Sequence, residues 1–194
     1  MLVGIVLVAV LAISTGQAQQ TQRIVGVIEA VEGSTLIVKT RQGEVKVTIT
    51  SDVAVFGVER RTVADIKPGQ FLGVGAIPLP DGSQKAVRVQ IFPPGENPNP
   101  GFRTWEGAPQ GTMTNASVET SVAGVDGQVL TLKYKDGEKK IIVASDAQIV
   151  GTVHGDKSEL KPGVAVSIAR AIKKPDGTLE AVRINVGRDG VTPQ

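Results

Sequence analysis

The chain has 194 residues, 41% hydrophobic but only 3% aromatic, with 21 basic and 19 acidic side chains and no cysteine. A net charge of +2 does not supply the basic surface that nucleic acid or an anionic membrane selects. Without cysteine there are no disulfides or thiolate metal centres, and the core must come from Val, Ile, Leu and Ala, a strand-forming set.

Leu2 to Ile13 is an unbroken run of apolar and small residues, followed by Ser14-Thr15-Gly16-Gln17-Ala18. That pattern reads as a secretory signal cleaved near Ala18, so residues 1–18 are expected to be removed and the mature chain to be periplasmic or secreted. The run is about half of what a bilayer span requires, which predicts that the protein is not integral to the membrane. No Lys or Arg precedes it, a departure from the usual signal pattern.

Ile24 to Val31 and Thr35 to Arg41 read as strands separated by Glu32-Gly33-Ser34. Gln42-Gly43 turns the chain into Glu44 to Thr50, where Val45, Val47 and Ile49 alternate with polar residues. Period two with short Gly turns predicts an antiparallel meander. Ser51 to Arg61 is less regular. Thr62 to Ile66 predicts one helical turn, stapled by Thr62 and Asp65 and stopped by Lys67-Pro68-Gly69. Gln70 to Ile77 and Gln84 to Phe92 are the next strands, joined through Pro80-Asp81-Gly82.

The same plan then returns. Val118 to Val125, Val129 to Lys135 and Lys139 to Ala144 are strands, Ser145 to Gly155 is irregular, and Lys157 to Leu160 is the short turn. Val164 to Ile172 and Thr178 to Val186 close the series. Asp65-Ile66-Lys67-Pro68-Gly69 reappears as Glu159-Leu160-Lys161-Pro162-Gly163, and Ala86-Val87-Arg88 as Ala181-Val182-Arg183. Gly33, Asp52 and Gly57 likewise match Gly127, Asp146 and Gly151. The chain is therefore two copies of one module. The expected fold is all-β, with two tandem small five-stranded OB-like barrels at 24–92 and 118–187; a roll or sandwich is the alternative. A Pro/Gly-rich linker (93–117), too broken for strand or helix, joins them, and 188–194 is a flexible tail.

The repeated plan of Gly turn, strand, Asp/Glu-Ile/Leu-Lys-Pro-Gly, strand, Asp-Gly and Ala-Val-Arg resembles the bacterial exported domain DUF5666. The likeness covers residues 24–187 and includes a linker similar to that of double-module members. There the linker more often reads Gly-His-Arg-Pro-Trp-Asp; here it is Gly101-Phe102-Arg103-Thr104-Trp105-Glu106, without the histidine. The resemblance implies an exported β module and no particular activity.

His154 is the single histidine, with Asp156 and Asp146 as its conceivable partners. One His and no Cys leave no ordinary zinc or copper site, and no calcium loop pattern occurs. No Gly-x-Ser-x-Gly elbow or phosphate-binding Gly loop is present, so neither catalytic residues nor cofactors are expected. Asp81-Gly82, Asp136-Gly137 and Asp176-Gly177 read as turns. The linker holds the only Trp. Trp105 is expected to pack on one barrel and fix the position of the two, or to plug the gap between them. Together with Phe102 and Arg103 it is the candidate interaction surface, because aromatic and Arg side chains favour interface centres. The resulting expectation is a non-enzymatic binding or scaffolding protein, an adaptor for an envelope protein. The alternative is a carrier of a small ligand, ion or glycan between the modules. Nucleic acid is not expected, since exposed aromatics for base stacking are missing.

Overall fold

The computed structural model describes residues 20–124 and 127–193, so the expected signal segment and its cleavage site at Ala18 lie outside the described residues. The described chain is all-β, with two single 3-10 turns and no α-helix. β1 (Thr21–Glu32), β2 (Thr35–Thr40) and β3 (Gly43–Arg60) form an antiparallel meander in which Ile28, Leu36, Val38 and Val47 point inward. Both 3-10 turns sit where the repeated phrase predicts them, at Val63–Asp65 and Lys157–Glu159. The Asp65 carboxylate accepts from the Thr62 N–H at 2.8 Å and from its hydroxyl at 2.9 Å.

Strand pairing departs from the expectation of two barrels each made of one copy. β3 does not turn back after Thr50 but continues to Arg60. The ring is closed instead by β11 (Ala165–Lys173) and β12 (Leu179–Gly187) of the second copy. β1 pairs antiparallel with β11, β11 with β12, and β12 runs parallel to β3. A second ring of five takes β4 (Phe71–Pro78) and β5 (Gln84–Ile91) from the first copy. Its other strands, β7 (Thr112–Gly124), β8 (Gly127–Tyr134) and β9 (Gly137–Val143), come from the second. The short parallel match of Gln84 with Ile141 and Lys85 with Ile142 closes it. The boundaries 24–92 and 118–187 thus delimit the repeated sequence, while each barrel draws three strands from one copy and two from the other.

The cores follow the rings. One cluster unites Ile28, Leu36 and Val47 with Leu160, Ile168 and Ile184; another unites Ile66, Leu72 and Val89 with Leu130, Leu132 and Ile141. At about 1.5–3 kcal/mol for each buried aliphatic side chain, these mixed cores hold the exchange in place. Backbone bonds reinforce it. The Gly163 N–H donates to the Ile28 carbonyl at 2.8 Å, and the Gly69 N–H to the Val118 carbonyl at 2.9 Å. Both glycines have positive φ, 87° at Gly163 and 84° at Gly69, as the stop after a Lys-Pro pair demands. The crossing itself is made by the end of β3 and by β10 (Gln148–His154), which pair antiparallel from Phe56 with His154 to Arg60 with Val150. The expected irregular stretches at 51–61 and 145–155 are therefore largely strand. They read as irregular because the two crossing strands pack on different neighbours along their length, which removes a steady period of two.

Candidate functional site

The linker contains a strand and is pinned to both rings. Glu96 N–H donates to the Pro93 carbonyl at 3.1 Å, closing a turn after β5. The Glu96 carboxylate then accepts from Arg183 Nη1 at 2.7 Å, on β12 of the first ring. The Arg183 guanidinium carbon lies 3.8 Å over the Phe56 ring, a cation–π contact, and His154 approaches the same ring with centroids 5.1 Å apart. Further along, the Asn115 amide donates to the Pro98 carbonyl at 2.9 Å, and Arg103 Nη1 donates to the Asn99 carbonyl at 3.1 Å.

Gly101–Thr104 forms β6, antiparallel to β7, with Phe102 opposite Thr114 and Arg103 opposite Met113. The Pro and Gly density that argued against a strand falls on either side of these four residues. Trp105 N–H donates to the Gly111 carbonyl at 2.8 Å and closes the hairpin. The Trp105 indole is half-buried on the outer face of β4, where Val74 and Ala76 turn inward and Gly75 leaves a flat floor. A Cβ on Gly75 would come within 2.8 Å of the ring, so only glycine admits this contact. Trp105 thus packs on one ring, and the linker's contact with the first ring is made by Glu96.

Of the three candidate surface residues, Phe102 is 42% exposed, Arg103 is exposed and Trp105 is the anchor behind them. Lys139 Nζ, on β9, sits 4.6 Å from the Phe102 ring centre, while Arg103, the next residue of the strand, points to the opposite face. Among the described residues β6 is the one strand with a single strand neighbour; every other strand has at least two.

His154 is exposed and its conceivable partners are committed elsewhere. Asp156 Oδ1 accepts from Ser158 N–H at 2.8 Å at the start of the second 3-10 turn, and Asp146 accepts from Lys85 at 2.8 Å. Hydrogen bonds from Ser158 hold the Asp156 carboxyl below its ordinary range, and the Lys85 hydrogen bond does the same for Asp146. Among the described residues no group of three His, Cys, Asp or Glu is placed to hold a metal ion. At the Asp-Gly turns, Asp176 Oδ1 accepts from Thr178 N–H at 2.9 Å, and Asp81 Oδ1 from Ser83 N–H at 3.0 Å. No helix among the described residues is long and apolar enough to cross a membrane.

No family model, curated protein or solved structure matches this chain. Two features escaped the sequence reading: the open edge of β6 and the pairing of Glu96 with Arg183 across 87 positions. Neither leaves a local signal: the pair joins residues far apart in the chain, and an edge stays open only because no further strand covers it.

Proposed function

We propose that this chain is an exported, non-enzymatic adaptor that captures an extended segment of an envelope protein by adding it as a strand along β6. The observation that carries this reading is the open edge of β6, the one strand among the described residues with a single strand neighbour. An exposed strand edge offers unpaired backbone donors and acceptors to a passing segment, and edge-to-edge addition supplies affinity through them. Phe102 supplies an apolar contact for the incoming side chains, while Arg103 and Lys139 favour acidic ones. The edge is also pre-organised, since the Trp105 anchor and the Trp105–Gly111 bond fix the hairpin before any partner arrives.

Cross-linking in living cells, with the full chain tagged at its C-terminus, tests this. Recovery of one envelope protein from the wild type and its loss from an Arg103→Pro variant of unchanged thermal stability supports strand addition, because proline blocks edge pairing. Equal capture by the Pro variant, or no capture by the wild type, overturns it.

A further inference from the structure

Arg88 on β5 is 7% exposed, an unusual place for a guanidinium. Its Nη1 donates to Gln148 Oε1 at 2.8 Å on the adjacent β10, while Nη2 is enclosed and meets no acceptor among the described residues. Burial is the main cause that lowers the Arg88 pKa from its ordinary value, with the charge of Arg23 adding to it. A guanidinium nevertheless stays protonated in proteins, so it remains a buried cation with one enclosed nitrogen unpaired. Such a charge is unfavourable unless an anion reaches it.

The repeat supplies an internal comparison. Arg183 occupies the same position of the second copy, and there a carboxylate is at hand: Glu96 at 2.7 Å, with Phe56 beneath the guanidinium. The residues that correspond to Phe56 and Glu96 in the other copy are Val150 and Val191. The second ring therefore keeps the arginine without the acid or the aromatic floor. A position built to hold a cation against a carboxylate has lost its protein-borne carboxylate.

We propose that Arg88 and Gln148 form a site for a small free oxyanion, a carboxylate or phosphate, at the junction between the two rings. The planar fork of Arg88 matches two oxygens of such a group. Exposed Gln148 presents its side-chain amide from the neighbouring strand and opens the guanidinium's surroundings toward solvent. This inference is independent of the β6 edge.

Thermal unfolding of the full chain, titrated with inorganic phosphate and separately with acetate at constant ionic strength, tests it. A saturable rise in Tm is expected, as binding to the folded state requires. Arg88→Gln abolishes the saturable component, whereas Arg183→Gln keeps it. Gln148→Ala, a change at an exposed side chain, weakens anion binding by about ten-fold and decides the matter if Arg88→Gln does not fold. The relative size of the phosphate and acetate responses identifies the preferred chemistry. A response that does not saturate, or that is equal in wild type and the Arg88→Gln and Gln148→Ala variants, overturns the site.

Discussion

Val58 in β3 lies opposite Thr152 in β10, and each is the other's counterpart in the repeat. A residue paired with its own repeat equivalent marks a two-fold relation between the copies at that point. Phe56 with His154 and Arg60 with Val150 are the flanking pairs on either side. The crossing strands also carry Gly57 and Gly151, equivalent positions that lie beneath the Arg188 and Arg61 side chains. The chain is thus organised as an exchanged pair of modules whose two halves happen to be covalently joined.

This exchange is directly measurable because the chain has no cysteine of its own. Thr48→Cys combined with Glu180→Cys places two thiols on neighbouring strands of the first ring. Brief treatment with a short bis-maleimide is expected to give a high yield of intramolecular cross-link at low protein concentration. In an arrangement of self-contained copies these positions would belong to separate barrels, and little cross-link would form.

Leu160, from the 3-10 turn region of the second copy, fills the core that the first copy begins. Truncation to alanine is expected to destabilise the protein by about 2–5 kcal/mol. Ile66→Ala removes the equivalent side chain from the other core and should cost a similar amount. Denaturant unfolding followed by circular dichroism reads both values. A loss well below 1 kcal/mol in each would mean that neither side chain is buried as described.

Trp105 is the sole tryptophan, so its fluorescence reports the linker anchor without interference. Gly75→Ala forces the indole away from β4. The expected result is a red-shifted emission and a stability loss of roughly 1–3 kcal/mol, the usual cost of overfilling a packed contact. Unchanged emission would place the indole elsewhere.

Acid should loosen the attachment of the tail to the second 3-10 turn. Arg188 Nε and Nη2 donate to the two oxygens of Glu159 at 2.8 and 2.9 Å. Those bonds hold the Glu159 carboxyl below its ordinary 4.5, with Asp156 N–H adding to the effect. A carboxylate depressed on folding stabilises the protein above its ordinary pKa and loses that contribution as pH falls through the depressed value. Stability of the wild type should therefore decline below about pH 4.5 more than that of Glu159→Gln, with roughly 1 kcal/mol separating them at neutral pH. Parallel pH profiles for the two proteins would show that the pair contributes nothing.

The amino-acid sequence alone determined the all-β class, the duplication, the meanders and the position of both 3-10 turns. Each rests on interactions between neighbours in the chain: alternating Val and Ile, turns at Gly43 and Gly82, and the carboxylate of Asp65 folded back on Thr62. Trp105 could also be read as an anchored residue, since a lone indole in a Pro-rich linker is seldom left in water.

Only the tertiary structure decided which strands complete which ring. Both copies carry nearly the same apolar positions, so β4 and β5 satisfy the core of either ring, and periodicity cannot choose between them. The path of β3 through Ser51 to Arg60 makes that choice by carrying the chain across to the other ring. The Glu96–Arg183 pair and the contact of Arg88 with Gln148 are consequences of that crossing. They join residues far apart in sequence, and local propensity does not encode which of two equivalent partners a strand will meet.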